Sequence, residues 1–497
     1  MSPGSDGSWR ASALQTSPNG FVDGLKRAPC RAARGLDTAC ETRDTVRMQT
    51  KHEERLGTEP IGRLMLSLAL PAILAQFVNI LYNMVDRMYI GRIPGSGALA
   101  LTGLGLCFPI ITAVSAFSAF VCAGGAPLAA IALGEGDRDR AEKFLGNGVT
   151  LLLIFSAVLT VALLMFKRPL LMAFGASENT IGYADEYLTV YLVGTVFVQL
   201  SLGLNMFISC QGQARVAMAS VIVGAVANIV LDPLFIFALG MGVRGAALAT
   251  ILSQALSAAW IVRFLTSDRS ALRIRRRHLA PVGKIVGPMM ALGVSPFIMQ
   301  ITESLISVVF NTGLQRYGGD MHVGAMTILQ SVMQLKVVPL SGFTQGVQPI
   351  ISYNYGAKQY QRVRLAIKRM AMVTIPASFV ISLLAMLLPT VFASLFTDDA
   401  ALIALVGQML PIYMAGMLIF GVQNCAQATF VALGQARVSL FIALLRKVIL
   451  LVPLALILPA VTGSVMGIYW AEPIADVVSA LTAGTLLLVY SKKLLPE

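Results

Sequence analysis

Gly212-Gln213-Ala214-Arg215 recurs as Gly434-Gln435-Ala436-Arg437, 222 residues further along the chain. One tetrapeptide is weak support for a repeat. The same offset, however, relates Gly91 to Gly313, Pro127 to Pro349, Gly134 to Gly356 and Gly245 to Gly467, each at a matching place in its loop or helix. The chain therefore reads as two related halves. Around both copies of the motif, apolar runs long enough to cross a membrane, for which about 20 residues suffice, alternate with short polar or Gly/Pro-marked turns. The expected spans are 61–91, 98–133, 144–166, 181–210, 215–240 and 244–265, then 285–315, 321–354, 360–389, 400–433, 437–461 and 465–491. Helices are expected because each backbone N–H and C=O must be satisfied within the span, whereas a barrel would show short alternating segments. The fold class is all-α integral membrane, with twelve transmembrane helices in two pseudo-symmetric six-helix lobes. Six is even, so both halves share one topology, and the axis relating them runs along the membrane normal.

Composition agrees. Of 497 residues, 56% are hydrophobic and 13% charged, and mean hydropathy is +0.74. A soluble domain carries about 25% charged residues, so a soluble enzyme is excluded. The net charge of +13 would suggest nucleic acid in a soluble protein; here topology explains it, and no nucleic-acid partner is expected. Connections on one side carry 19 Lys and Arg, seven of them in 263–284. The other side carries only Arg92, Lys167, Arg168, Arg244 and Arg316. The positive-inside rule then puts both termini and the basic linker in the cytoplasm of a multi-pass protein of the cell membrane. Binding of membrane lipid headgroups is the alternative reading of that basic linker, with topology the preferred one. The expected organisation is a disordered tail (1–55), an N-terminal lobe (56–266), a basic linker (267–284), a C-terminal lobe (285–491) and a short tail (492–497). Cys30 and Cys40 lie in the tail, while Cys107, Cys122, Cys210 and Cys425 sit singly in apolar runs. They read as inert thiols, without disulfide or metal spacing.

Two segments carry a family likeness. They are Asn79-Ile80-Leu81-Tyr82-Asn83-Met84-Val85-Asp86-Arg87-Met88-Tyr89-Ile90-Gly91 and Asn228-Ile229-Val230-Leu231-Asp232-Pro233-Leu234-Phe235-Ile236-Phe237. With the twin Gly-Gln-Ala-Arg loops they resemble the MATE family of multidrug and toxin extruders over about residues 56–491. Gly124-Gly125-Ala126-Pro127 and Thr302-Glu303-Ser304 look like its DinF-like branch, in particular the MepA-like members. The resemblance implies an antiporter that exports small cationic or amphiphilic molecules by alternating access, in exchange for protons or sodium. No other cofactor and a monomer are expected.

Ionisable groups inside a membrane cost about 2.5–3.5 kcal/mol on insertion scales, so each is a candidate for function. On the first span Gln76, Asn79, Asn83 and Asp86 share one helical face. The resemblance gives Asp86 a part in proton coupling; the plain alternative is pairing with Arg87 or Arg92. On the fifth span Asn228 and Asp232 stand one turn apart, and Pro233 removes a helical donor beside the acid. Asn205 matches a family asparagine facing the same chamber, which Tyr82, Tyr191 and Gln199 are expected to line. Glu303 matches a position that binds cations in sodium-coupled relatives, yet span 400–433 lacks their partner acid, so a complete sodium site is not expected. Lys336 is expected to pair with Glu303, with Gln330 and Gln334 in the network. Arg446 and Lys447 are expected to snorkel toward the cytoplasm. Glu472 and Asp476, one turn apart on the last span, are candidates for the C-terminal cavity.

Two other functions compete. A lipid-linked oligosaccharide flippase of the same wider superfamily needs a cationic cavity for phosphate, whereas these candidates are mostly acids and amides. An intramembrane enzyme lacks support, because there is no His/Glu metal motif, no Gly-x-Ser-x-Gly elbow and no phosphate-binding loop. The histidines, His52, His278 and His322, are expected in tails or loops. Without a Walker-type site, an ion gradient is the expected energy source.

Overall fold

The computed structural model describes residues 55–496. Residues 1–54, with Cys30, Cys40, His52 and nearly all of the expected tail, lie outside the described residues. The first half runs through α1 (Ile61–Gly91), α2 (Gly97–Gly134), α3 (Arg138–Ala173), α4 (Glu178–Val193), α5 (Thr195–Cys210), α6 (Ala214–Pro233), a π-helical turn at Leu234–Ala238, and α7 (Gly242–Thr266). The second half begins with α8 (Gly283–Gly319) and α9 (Met321–Gly356). It continues through α10 (Tyr360–Leu387), α11 (Pro389–Ser394), α12 (Ala400–Met414), α13 (Phe420–Ala432), α14 (Ala436–Leu444), a π-helical stretch at Leu445–Leu451, α15 (Val452–Thr462) and α16 (Met466–Leu494).

Among the described residues, ten helical stretches are long and apolar enough to cross a membrane, with α6 and α14–α15 running through their π turns. An eleventh span is α4 and α5 together, bent by 60° at Gly194. The twelfth is α12 with α13, which begins and ends 222 residues after that bent pair and breaks at the corresponding place. The bend had no sequence expectation; 181–210 and 400–433 read as continuous. The repeated loop motif has a local cause: Gly212 and Gly434 turn the chain at φ 78° and 69°, where a side chain would be strained. Leu66, Met165, Val461 and Leu488 are mostly exposed, as expected of side chains that face lipid.

The lobes exchange their entry helices. The start of α1, through Ile61, Leu64, Met65 and Leu68, packs in one core with Phe343, Val347, Ile350 and Met370 of the second half. Reciprocally, Ile285 and Met289 at the start of α8 pack with Phe144, Leu204 and Phe207 of the first half. At the end of the molecule that carries the basic loops, the contact closes to backbone. A Cβ at Gly134 would lie 2.0 Å from the Tyr353 carbonyl oxygen, and one at its repeat partner Gly356 would lie 2.0 Å from that of Ile131. Only glycine permits that approach, so the lobes meet at the basic-loop end and leave space between them beyond it. The 267–284 segment is docked on α3: Arg275 pairs with Glu142 at 2.6 Å and Arg277 with Asp139 at 3.0 Å. Asn147 donates to the His278 carbonyl and accepts from the Val282 N–H. His322 is a correction, since it stands in α9 rather than a loop, with Nδ1 3.0 Å from the Tyr469 hydroxyl.

Candidate functional site

A cavity of about 1880 Å³ lies between the two halves. The α1 face is one wall, because Gln76, Asn79, Asn83 and Asp86 line it, as their 3, 4, 3 spacing requires, with Tyr82 beside them. Gln76 reaches across to Gln345 of α9 at 3.2 Å, and Asn83 donates to the Asn79 carbonyl at 2.6 Å. Tyr191 and Asn205 also line the cavity; Asn205 is anchored to the Ser220 hydroxyl and the Ala217 carbonyl. Tyr187, which the sequence reading missed, lines it too, stacked on Tyr191 at 6.2 Å. Its one-turn spacing from Tyr191 was the available signal.

Behind this wall the first half holds two carboxylates together. Asp86 and Asp232 are 8% and 0% exposed and within side-chain hydrogen-bonding reach of each other, so the pair can hold a shared proton. Asn228 donates to Asp232 Oδ1 at 3.2 Å, while Asp86 Oδ1, Asp232 Oδ2 and Asn228 Oδ1 are buried without a partner. Arg87 does not close an ion pair here; its guanidinium lies over Phe108 at 5.6 Å. Pro233 ends α6 beside Asp232, and the widened π turn follows directly, a local geometry common at functional sites. Asp86 opens on the cavity, while Asn228 and Asp232 sit one layer behind it.

The second half is built differently. Lys447 donates to Glu303 Oε2 at 2.5 Å. Arg446 holds Asp476 Oδ1 at 2.6 Å and Glu472 Oε1 at 2.9 Å, with its guanidinium 4.9 Å above the Phe420 ring. Lys336 donates to the Ser382 hydroxyl at 2.7 Å and the Met417 carbonyl. Three acids thus pair with two bases while Lys336 is held by neutral oxygens, whereas the first half sets two acids beside the Asn228 amide.

Several expectations need correcting. Lys336 does not pair with Glu303: it points to the α10 and α12–α13 side of its lobe, where a hydroxyl and a carbonyl satisfy it. Arg446 and Lys447 do not snorkel. They lie on the π-helical stretch, which turns both inward, and both are about 95% buried with carboxylate partners. Gln199 is fully buried away from the cavity, donating to the Val114 carbonyl and accepting from Ser118; it clamps α5 to α2. Gln330, Gln334, Glu303 and Glu472 do line the cavity, while Lys336 and Asp476 stand behind it.

Comparison with known proteins fits this architecture. One family model, described as MatE, matches the chain twice, over residues 71–234 and 296–457, once in each half. The chain is 24% identical over 432 residues to the multidrug export protein MepA of Staphylococcus haemolyticus (strain JCSC1435), covering 87% of this chain and 94% of that one. To MepA of Staphylococcus aureus (strain bovine RF122 / ET3-1) it is 25% identical over 437 residues, with the same coverage. Among solved structures, a MATE protein in a bent conformation superposes with a TM-score of 0.83 at 23% identity, covering 89% of this chain and 98% of that one. A MOP superfamily transporter from Pyrococcus furiosus, described as having a binding pocket of reverse polarity, superposes with a TM-score of 0.82 at 23% identity, covering 88% and 98%.

Proposed function

The chain belongs to the MatE family, and we propose that it is a secondary exporter of organic cations and amphiphilic drugs, working by alternating access and driven by proton entry. The observation that carries the reading is the Asp86–Asp232 pair: two buried carboxylates without a basic partner, one of them open to a large cavity between two related lobes. A carboxylate there attracts a cation; protonation removes that charge and releases it. Entry of a proton from outside thereby expels the substrate on that side. Sodium is the less favoured coupling ion, because the acids of the second half already have internal cations.

The charged groups on the wall are Asp86, Glu303 and Glu472 against Arg87 and Lys447, an acidic excess that disfavours a phosphate-bearing lipid-linked sugar. The proposed orientation has the basic-loop end and both termini in the cytoplasm. The proposed lobes are 56–266 and 285–491, joined by the linker 267–284. Both halves of the pathway lie in one chain, so a monomer is the proposed working unit. The test is purified protein in lipid vesicles, given separate proton and sodium gradients while a fluorescent organic cation is followed. Transport driven by the proton gradient is expected; transport driven only by sodium, or by neither gradient, overturns the reading.

A further inference from the structure

Glu303 stands out among the acids of the second half. Its side chain is 47% exposed on the cavity wall, while the Lys447 that holds it is 5% exposed. A half-solvated carboxylate facing a substrate pathway is an open cation site, but here the protein fills it. The surrounding charges explain why Lys447 stays. Arg446, the next residue, is engaged by Glu472 and Asp476, and Lys336 is committed to Ser382 and Met417. Among the described residues, Lys447 makes a direct ion pair with Glu303 alone and Glu303 with Lys447 alone, with Arg446 and Glu472 as the next charges around them. A lysine ammonium is a compact point charge with three donors on a flexible stem, so it can substitute for a free monovalent cation.

We infer that Lys447 is a tethered cation occupying a monovalent-cation site at Glu303, and that it excludes diffusible ions from this half of the cavity. The inference deepens the proposed function and rests on the cavity being the transport pathway. Its chemistry is separable, because ion occupancy at Glu303 is measured without any transport.

The test is equilibrium binding of radioactive sodium to the purified full-length protein, at constant ionic strength set with N-methylglucamine chloride. The parent should show no saturable sodium binding. Lys447→Met should acquire a saturable site, with affinity raised about tenfold or more over the parent's background, and Glu303→Gln/Lys447→Met should lose it again. Lys447→Arg, which keeps a tethered charge, should resemble the parent. If Lys447→Met does not give a monodisperse protein, Lys447→Gln removes the charge while keeping a donor to Glu303. Saturable sodium binding in the parent, none in the neutral variants, or binding that survives in the double variant would overturn the inference. Loss of proton-driven transport by the parent would count against the proposed function alone.

Discussion

Replacing Arg446 by methionine removes the one group that holds two carboxylates in the second half. Arg446 is 5% exposed and spans Asp476 at 2.6 Å and Glu472 at 2.9 Å. Breaking a buried ion pair by deleting one partner costs about 3–5 kcal/mol, because the remaining charge is left uncompensated. The two acids should not share that cost equally. Both acids are buried, but Glu472 borders the cavity, whereas Asp476 stands behind it with Oδ2 already unpartnered. Most of the penalty therefore belongs to Asp476. Adding Asp476→Asn to Arg446→Met should recover more stability than adding Glu472→Gln. The assay is thermal unfolding in detergent, followed by a thiol-reactive fluorophore that reports exposure of the buried Cys107, Cys122, Cys210 and Cys425, with Cys30 and Cys40 replaced by serine. An unchanged midpoint for Arg446→Met, or equal recovery by both second changes, would refute the reasoning.

Three further outcomes follow from the fold. In the same cysteine background, Arg276→Cys, on an exposed part of the docked linker, should resist impermeant labelling of intact cells and react in inverted vesicles; rapid labelling from outside would reverse the orientation. Gly134→Val places side-chain atoms against the Tyr353 carbonyl, where a Cβ alone would stand at 2.0 Å. It should open the basic-loop end, slow transport and raise the labelling of a cysteine at Asn205 from that end, whereas unchanged transport and labelling would mean the contact is dispensable. Gln199→Ala removes the donor to the buried Val114 carbonyl and the short bond from Ser118, leaving that hydroxyl only its long contact to the residue-199 carbonyl. It should lower stability by about 1–3 kcal/mol with the KM for substrate unchanged, and a raised KM with intact stability would return Gln199 to the cavity wall.

The parts legible in the sequence are those set by local periodicity. The 222-residue offset exposed the repeat, and the 3, 4, 3 spacing from Gln76 to Asp86 placed four α1 side chains on the cavity. Asn228 and Asp232 were legible for the same reason. What was not legible depends on breaks in that periodicity or on contacts between helices. The π-helical stretch at Leu445–Leu451 shifts the register, so counting turns could not show Arg446 and Lys447 facing inward. The partner of Lys336 could not be read either, since Ser382 lies 46 residues away on another helix. The burial of Gln199 was hidden in the same way, since its partners Val114 and Ser118 lie 85 and 81 residues away on α2.

Coupling through the Asp86–Asp232 pair is tested most directly by export of an organic cation from cells under an imposed pH gradient, with membrane abundance measured in the same cells. Asp86→Asn and Asp232→Asn keep side-chain shape and hydrogen-bonding capacity. Each variant should reach the membrane at parental levels and lose gradient-driven export. Normal export by both single variants, at matched abundance, would contradict the account and make the pair structural.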